Sequence, residues 1–280
     1  MMILRRLFGL KSVPITLARF NELRTAEPRR LCFGTTRKLS RGTNGPAIGF
    51  LSLNFDETIG RLFPWDLERH DGKFGRQFRR VIRSETEYGE IEGWIAANSE
   101  IVFIRSLLGT CVAASEHQST PGQHTEIGEL ERRAKYGADA NARASLLERM
   151  IDIFHRLLEP LQIDAICAVP PSVAGEFSLP GWLVSGLSEQ LEIENLTPMI
   201  RWTGVKPKLK AVDVDHKWAS LEDAGLTIDG RLEGRRILIV DDLYQSGATV
   251  HFVASRLQSA GAAEVHCFAV VKSMRDTDNT

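Results

Sequence analysis

The sequence lacks the features that mark secreted, membrane-spanning and cysteine–zinc proteins. Its four cysteines lie far apart, at Cys32, Cys111, Cys167 and Cys267, and no C-x-x-C pair occurs, which is typical of reduced thiols and argues against a cysteine zinc site. No apolar run approaches the roughly 18 residues that cross a bilayer. Residues 1–11 are too few and too charged for a secretory signal. These absences favour a cytoplasmic protein without membrane attachment.

The chain also has almost no net charge, since 35 basic and 36 acidic residues give −1. The front of the chain departs from this balance, because residues 1–41 hold ten Lys or Arg and two Glu, or 10 − 2 = +8. A second basic cluster has phenylalanines between its charges: Lys73, Phe74, Arg76, Phe78, Arg79, Arg80 and Arg83. Such segments can bind a nucleic-acid backbone or an acidic protein partner, or they can be an ordinary solvated face. The sequence leaves both interpretations open.

Length and composition bound the domain organisation. A chain of 280 residues with 43% hydrophobic and 25% charged residues predicts a packed core in one large or two ordinary domains. Thr110–Glu126 is rich in Ser, Thr, Gly, Gln and His, which predicts a loop or linker. We therefore expect a basic N-terminal α+β domain of unknown type over residues 1–122 and a second domain over residues 123–280.

A run of aliphatic residues that leads into two acids is the most informative segment of the chain. Ile237–Val240 has no polar face, which is typical of a central parallel strand covered by helices on both sides. Asp241 and Asp242 follow, at the strand end where open α/β sheets bind ligands. Two neighbouring carboxylates at this position suit the vicinal hydroxyl groups of a ribose.

The segment after the acids predicts a phosphate site at the start of a helix. Gly247 and Ala248 add almost no bulk, so a ligand can approach the backbone closely. Unpaired amides and the dipole at a helix start favour an anion. The candidate phosphate-binding residues are Gln245, Ser246, Gly247, Ala248 and Thr249. A strand and a capped helix can occur without any ligand, but the full string is more specific than those two elements.

Together with a second strand, these residues resemble a known family. Ile163–Val169 predicts that strand, and the loop after it offers a pyrophosphate site whose candidate residues are Ser172, Val173, Ala174 and Gly175. Residues 128–273 resemble the type I phosphoribosyltransferase superfamily, and in particular its ComF-like branch. That branch shares the order Lys-Tyr-Gly (Lys135–Gly137), helix, strand, loop, arginine (Arg201), long loop and Asp-Asp. The resemblance implies an α/β fold with a parallel sheet and flanking helices.

The resemblance also implies an activity. Type I phosphoribosyltransferases transfer the phosphoribosyl group of 5-phosphoribosyl-1-pyrophosphate (PRPP) to a nitrogen acceptor and release pyrophosphate. It implies Asp241 and Asp242 as candidate catalytic residues on the ribose, with Mg²⁺ carried by PRPP near them and no firm protein metal ligand. Basic side chains that could face the pyrophosphate are Lys135, Arg201, Lys206, Lys208, Lys210 and Lys217, four of them in a flexible hood over residues 203–234. A homodimer is expected by analogy.

Departures from the family pattern leave the activity open. Family members often have Arg-Gly-Phe-Asn-Gln after the pyrophosphate loop, where this chain has Leu179–Trp182, and Gln245 and Ser246 replace two threonines. One alternative is therefore a PRPP- or nucleotide-binding sensor without transferase activity, acting as a partner module in DNA uptake or antiviral defence. Another is a structural partner in a nucleic-acid assembly that has lost ligand binding. Four histidines without a paired acid or nucleophile are interpreted as surface or packing residues: His155, His216, His251 and His266.

Overall fold

The structure, a computed structural model, describes residues 13–25, 29–34, 38–42, 47–55, 57–72, 75–173, 175–206, 212 and 214–274. Its strands in chain order are β1 (Arg30–Cys32), β2 (Leu39–Arg41), β3 (Gly49–Leu53), β4 (Glu68–Gly72), β5 (Gly75–Ile82), β6 (Val102–Ile104), β7 (Cys111–Glu116), β8 (Gln118–Thr120), β9 (Gln123–His124), β10 (Ala165–Ala168), β11 (Glu194–Asn195), β12 (Ile200–Trp202), β13 (Leu226–Ile228), β14 (Arg236–Tyr244) and β15 (Glu264–Lys272). Its helices are α1 (Leu17–Arg24), α2 (Glu57–Leu62), α3 (Glu85–Ala97), α4 (Glu126–Tyr136), α5 (Ala140–Ile153), α6 (Leu179–Leu191), α7 (Val214–Ala224) and α8 (Ala248–Ser259).

A seven-stranded sheet lies at the centre, in the order β1-β6-β7-β15-β14-β10-β11. The strands from β7 to β11 in this order pair in parallel, and β6 and β1 extend one edge in antiparallel fashion. Ala168 of β10 pairs with Val240 of β14, so the carboxyl ends of these two strands lie side by side. The expected α/β fold, a mostly parallel sheet with flanking helices, is confirmed.

The central strands are apolar on both faces because each face contacts a hydrophobic core. Along β14, Leu238 and Val240 join the core formed with α4, α5 and α6. Ile237 and Ile239 join the opposite core, formed with α1, α7 and α8. All four side chains are buried. This two-sided burial is the reason that the sequence shows a continuous aliphatic run here instead of an alternating pattern.

The N-terminal part adds a four-stranded antiparallel sheet in the order β2-β3-β5-β4. Leu51 and Leu53 of β3 and Ile82 of β5 are buried on its inner face. They belong to the same hydrophobic core as Val112 and the central strand β14. The small sheet therefore packs on one face of the large sheet.

The stretch expected to be a linker, Thr110–Glu126, contains a central strand, so that expectation was wrong. Residues 111–116 form β7, between β6 and β15, and Cys111–Ala114 are buried. The Ser, Gln and His residues that suggested a loop lie mostly in the short β8–β9 hairpin after it. The large sheet therefore continues across the expected boundary at residues 122 and 123. The division of the chain there stays a prediction about folding units.

The hood expected over residues 203–234 includes a packed helix, unlike the flexible loop that was predicted. Trp218 and Leu221 of α7 are buried in the core with α8, and the Trp218 ring meets Phe252 edge-on at 5.4 Å. Phe20 of α1 lies 5.7 Å from the same indole. The antiparallel pairing of β12 with β13 brings the two ends of this segment together.

Candidate functional site

The two adjacent acids belong to the last part of strand β14. The strand continues to Tyr244, so Asp241 and Asp242 are held by the sheet rather than by a loop. Asp241 pairs with Ala269 of β15, and its Oδ1 accepts a hydrogen bond from the backbone N–H of Asp242 at 3.0 Å. Both acids are partly buried. They lie at the carboxyl edge of the sheet, where parallel strands present ligand-binding groups.

Lys135 reaches these acids from the last turn of α4. Its Nζ lies 2.7 Å from Oδ2 of Asp242 and 3.7 Å from Oε1 of Glu131, one turn earlier on the same helix. Glu131 is only 3% exposed, and its Oε2 lies 3.6 Å from Nε2 of His117. Lys135, a candidate only through the family order, therefore makes a direct ion pair in the site.

The sequence analysis missed Glu131, although α4 carries a signal for it. The buried positions of this helix follow one stripe, and Glu131 falls within it: Ile127, Gly128, Glu131 and Ala134. A carboxylate on the apolar face of a helix signals a buried ion pair, because an unpaired charge there would be costly.

The charged side chains at this edge of the sheet shift one another's pKa values. Burial is the largest cause that raises the pKa of Asp241, to about 7, and the charge of Asp242 adds to it, whereas Lys206 and Lys135 act in the opposite direction. Burial lowers the pKa of Lys206, although both acids raise it. For Lys135, burial alone would lower the pKa, but the charge and hydrogen bond of Asp242 hold it above its ordinary value. Two acids and two lysines therefore compensate one another, and Asp241 titrates near neutral pH.

The loop after the acids leads directly into α8, which begins at Ala248. Gly247 is the N-cap with φ of +78°, and a Cβ there would overlap the hydroxyl group of Tyr244. Glycine is therefore required by the fold itself, besides any close approach of a ligand. Ser246 is buried, and its Oγ accepts a hydrogen bond from the Ala248 N–H at 3.3 Å. The remaining candidates of this cradle are partly buried beside it: Gln245 and Thr249.

A buried histidine ties the cradle to the loop between β6 and β7. His251 is fully buried, and its Nδ1 lies 2.8 Å from the carbonyl oxygen of Gly247. Its Nε2 accepts a hydrogen bond from the Leu107 N–H at 3.2 Å. These two contacts require the neutral ring with its proton on Nδ1. Burial lowers the pKa of His251 to about 4, which keeps the ring neutral. His251 thus does more than fill space, as it positions the carbonyl group of the N-cap.

The loop after β10 lies at the same edge as the acids, because β10 and β14 are neighbours. Gly175 has φ of +83° with open space around it, and Val173 is exposed. The Trp202 indole N–H donates to the Pro170 carbonyl oxygen at 3.2 Å and fixes the start of the loop. Ser172 is partly buried, and Ala174 lies outside the described residues.

The other basic candidates have varied surroundings. Nζ of Lys206 lies 5.2 Å from the centre of the Trp202 ring, in the electrostatic range of both acids. Arg201 forms an exposed ion pair with Asp229. Lys217 is buried in α7, so it is not an exposed hood residue. Lys208 and Lys210 lie outside the described residues.

Several arginines of the basic N-terminal part are paired within the protein. Three of these pairs join Arg30 to Glu116 at 3.2 Å, Arg41 to Glu85 at 2.7 Å and Arg80 to Glu87 at 2.6 Å. These pairs neutralise part of the charge that motivated the nucleic-acid hypothesis, which stays a prediction. Lys73 and Phe74 lie outside the described residues.

Within the described ranges, no group of three or more His, Cys, Asp or Glu side chains is arranged to hold a metal ion. All four cysteines are buried thiols. No helix in the part of the chain that the structure describes is long and apolar enough to cross a membrane.

The fold and the site define an α/β protein that brings an acidic strand end and the start of helix α8 to one edge of a mostly parallel sheet. Residues 188–280, about a third of the chain, match the family model described as the phosphoribosyl transferase domain. The matched segment holds the acids, the cradle and α8, whereas Lys135 and the loop after β10 precede it. The type I resemblance is thus supported over these residues, and the ComF-like branch stays a prediction.

Among solved structures, that of Leishmania donovani UMP synthase is similar, with a TM-score of 0.30 and 19% identity over 51% of this chain and 29% of that chain. This chain therefore spans less than a third of that protein. Comparison with curated proteins found no match.

Proposed function

We propose that this protein binds PRPP at the carboxyl edge of its central sheet and transfers the phosphoribosyl group to a nitrogen acceptor, with release of pyrophosphate. The observation that carries the proposal is the meeting of Asp241, Asp242 and Lys135 beside the start of α8. Such an edge is where open α/β sheets bind their ligands. The match of residues 188–280 with the phosphoribosyl transferase domain supports the same activity.

Each part of PRPP has a chemical partner at this edge. The amides of the first turn of α8 suit the 5-phosphate, with the Thr249 hydroxyl beside them. Asp241 and Asp242 accept hydrogen bonds from the ribose hydroxyl groups. They also place negative charge near the sugar carbon that becomes positive as its bond to pyrophosphate breaks. The loop at residues 172–175 and Lys206 would receive the departing pyrophosphate.

The acids suit a magnesium ion that arrives with PRPP better than one held by the protein alone. Oδ2 of Asp242 already contacts Lys135 at 2.7 Å, so few carboxylate oxygens remain for a metal. Mg²⁺ commonly takes one or two carboxylates together with substrate phosphates and water. When bound, the ion would supply positive charge to the leaving pyrophosphate, with Asp241 or Asp242 as its protein ligand.

A PRPP-binding sensor without transferase activity is the second candidate, and α6 provides the observation that favours it. Leu179 and Pro180 begin this helix and are buried, at the place where family members often carry an arginine. An apolar helix start cannot replace a guanidinium group as a partner for pyrophosphate. Ligand binding without turnover would follow from that loss.

The experiment compares thermal unfolding with and without PRPP and Mg²⁺, and then measures pyrophosphate release with a panel of nitrogenous bases. At a hundredfold excess over Kd, PRPP should stabilise the protein by about 2.7 kcal/mol. Release of pyrophosphate supports the transferase, and stabilisation without release supports the sensor. A protein that PRPP does not stabilise contradicts both.

A double substitution tests the assigned ribose contact. Asp241→Asn with Asp242→Asn should abolish stabilisation by PRPP and leave the fold intact, because both carboxylate acceptors are lost while the side-chain size is kept. The matched control is Asp152→Asn with Asp223→Asn, two exposed aspartates on α5 and α7. Unchanged PRPP affinity in the first variant would show that the ribose binds elsewhere.

A further inference from the structure

The N-terminus of α4 is fastened to the end of β7. The Thr125 hydroxyl donates to the Glu116 carbonyl oxygen at 2.5 Å, and its Oγ1 also accepts from the Gly128 N–H at 3.0 Å. A Cβ on Gly128 would overlap the carbonyl oxygen of His117, so glycine permits the close approach of the helix. The position of α4 against the sheet is therefore fixed one turn before Glu131 and two turns before Lys135.

Glu131 lies behind Lys135 as seen from the acids. Its carboxylate is 3% exposed and lies between two nitrogen groups, the Lys135 ammonium at 3.7 Å and Nε2 of His117 at 3.6 Å. A buried carboxylate keeps its charge only when cations or hydrogen bonds compensate for the lost water. Lys135 is thus held between two carboxylates, Glu131 from its own helix and Asp242 from β14.

We propose that Glu131 is a positioning residue, which holds the Lys135 ammonium group against Asp242 in the ligand site. The effect of Glu131 on PRPP binding rests on the proposed function. Its effect on the Lys135 ammonium group does not, because the ion pairs are present without any ligand. Lys135 has a flexible side chain, and a second carboxylate restricts its ammonium group to the position beside Asp242, where the ligand is proposed to bind. Glu131 itself need not touch the ligand.

The first measurement follows the Lys135 ammonium group by ¹H–¹⁵N NMR without any ligand. The wild-type signal is identified by its loss in Lys135→Met. Glu131→Gln keeps the size of the side chain and removes its charge, so proton exchange of the Lys135 ammonium should become several-fold faster. Glu129→Gln is the matched control, since Glu129 lies on the same helix and pairs with Arg132 on the exposed side. Equal exchange in Glu131→Gln and the wild type would overturn the proposal.

The second measurement compares the PRPP affinity of the wild type, Glu131→Gln, Lys135→Met and the double variant in the presence of Mg²⁺. Removing a negative charge alone would tighten binding of an anion, whereas loss of positioning should weaken it, roughly tenfold. In the Lys135→Met background, Glu131→Gln should change the affinity little, because its effect passes through Lys135. Additive effects, or tighter binding in Glu131→Gln, would refute positioning. If the wild type does not bind PRPP, the proposed function fails, and the NMR measurement still decides the role of Glu131.

Discussion

At the residue scale, the position of Asp241 in the fold opposes the role that we propose for it in ligand binding. It occupies the end of a central strand, where burial and the neighbouring Asp242 both disfavour its charged form. Lys206 and Lys135 compensate only in part. In the proposed complex with PRPP, a ribose hydroxyl or a substrate-borne cation would compensate the carboxylate charge further. The buried charge of Asp241 therefore destabilises the unliganded protein, and binding of the proposed ligand would reduce this destabilisation, as expected where function opposes stability.

This conflict predicts that Asp241→Asn stabilises the protein above neutral pH. The pKa of Asp241 is about 7 in the folded protein and near its ordinary value of 3.8 when unfolded. The folded state therefore keeps a proton that the unfolded chain has released between these values, so stability falls as the pH rises from about 4 to 7. Above pH 7, Asp241→Asn should be more stable than the wild type by about 1 to 4 kcal/mol, and the two should converge near pH 4.

Urea unfolding across this pH range measures the difference. The exposed Asp223→Asn on α7 is the control, and it should follow the wild type at every pH. A wild-type advantage at pH 8 would mean that the Asp241 carboxylate is well compensated by its lysines in the unliganded protein.

At the element scale, the strand–loop–helix unit of residues 236–259 was readable from the sequence, because each of its signals is local. An uninterrupted aliphatic run marks a strand buried on both faces, and the expected helix follows the loop and begins at Ala248. The two hydrogen bonds of the His251 ring could not be predicted, since both partners are backbone groups and one of them, the Leu107 N–H, lies far away in the chain. Histidine at a helix position gives no local sign of such a contact.

The tie predicts that His251→Leu weakens the cradle and the fold together. The substitution leaves the Leu107 N–H without its acceptor, whereas the Gly247 carbonyl group loses the side-chain contact and keeps its hydrogen bond from the backbone N–H at position 251. The loss should cost about 1 to 3 kcal/mol at pH 7.5. The cost should shrink at lower pH. Because the pKa of His251 is about 4 when folded and 6.5 when unfolded, the wild type loses stability as the pH falls through this interval. At pH 5 the difference should be smaller by roughly 2 kcal/mol.

Urea unfolding at both pH values measures these differences, and amide hydrogen exchange reports on Leu107 directly. Exchange at Leu107 should accelerate in His251→Leu, because its acceptor is gone. His155→Leu, on an exposed side chain, is the matched control and should leave both readouts unchanged. Slow exchange at Leu107 in the variant would place its hydrogen bond elsewhere.

At the scale of the whole molecule, the sequence predicted the parallel α/β fold of the C-terminal part but missed strand β7 within the stretch expected to be a loop. Cys111–Ala114 consists of small side chains and is followed by polar residues, so β7 lacked the strong aliphatic signal of β14. Strand pairing is also non-local, because β7 pairs with β15, more than 150 residues later. The contact between Lys135 and Asp242 is non-local as well, because it depends on the packing of α4 against the sheet and not on the spacing of residues in the sequence.

The shared sheet predicts that residues 123–280 do not fold alone. Without β7, the edge of β15 that pairs with Cys111, Ala113 and Ser115 would be exposed, and an unpaired apolar strand edge promotes aggregation. Residues 1–122 and 123–280, produced together as two chains, should instead associate, because the break falls in the exposed turn of the β8–β9 hairpin. Co-purification and one cooperative unfolding transition of the pair test this, with each fragment alone as the control. A cooperative transition of residues 123–280 by themselves would establish that the boundary at 122 separates two independent domains, and that β7 is dispensable for the site.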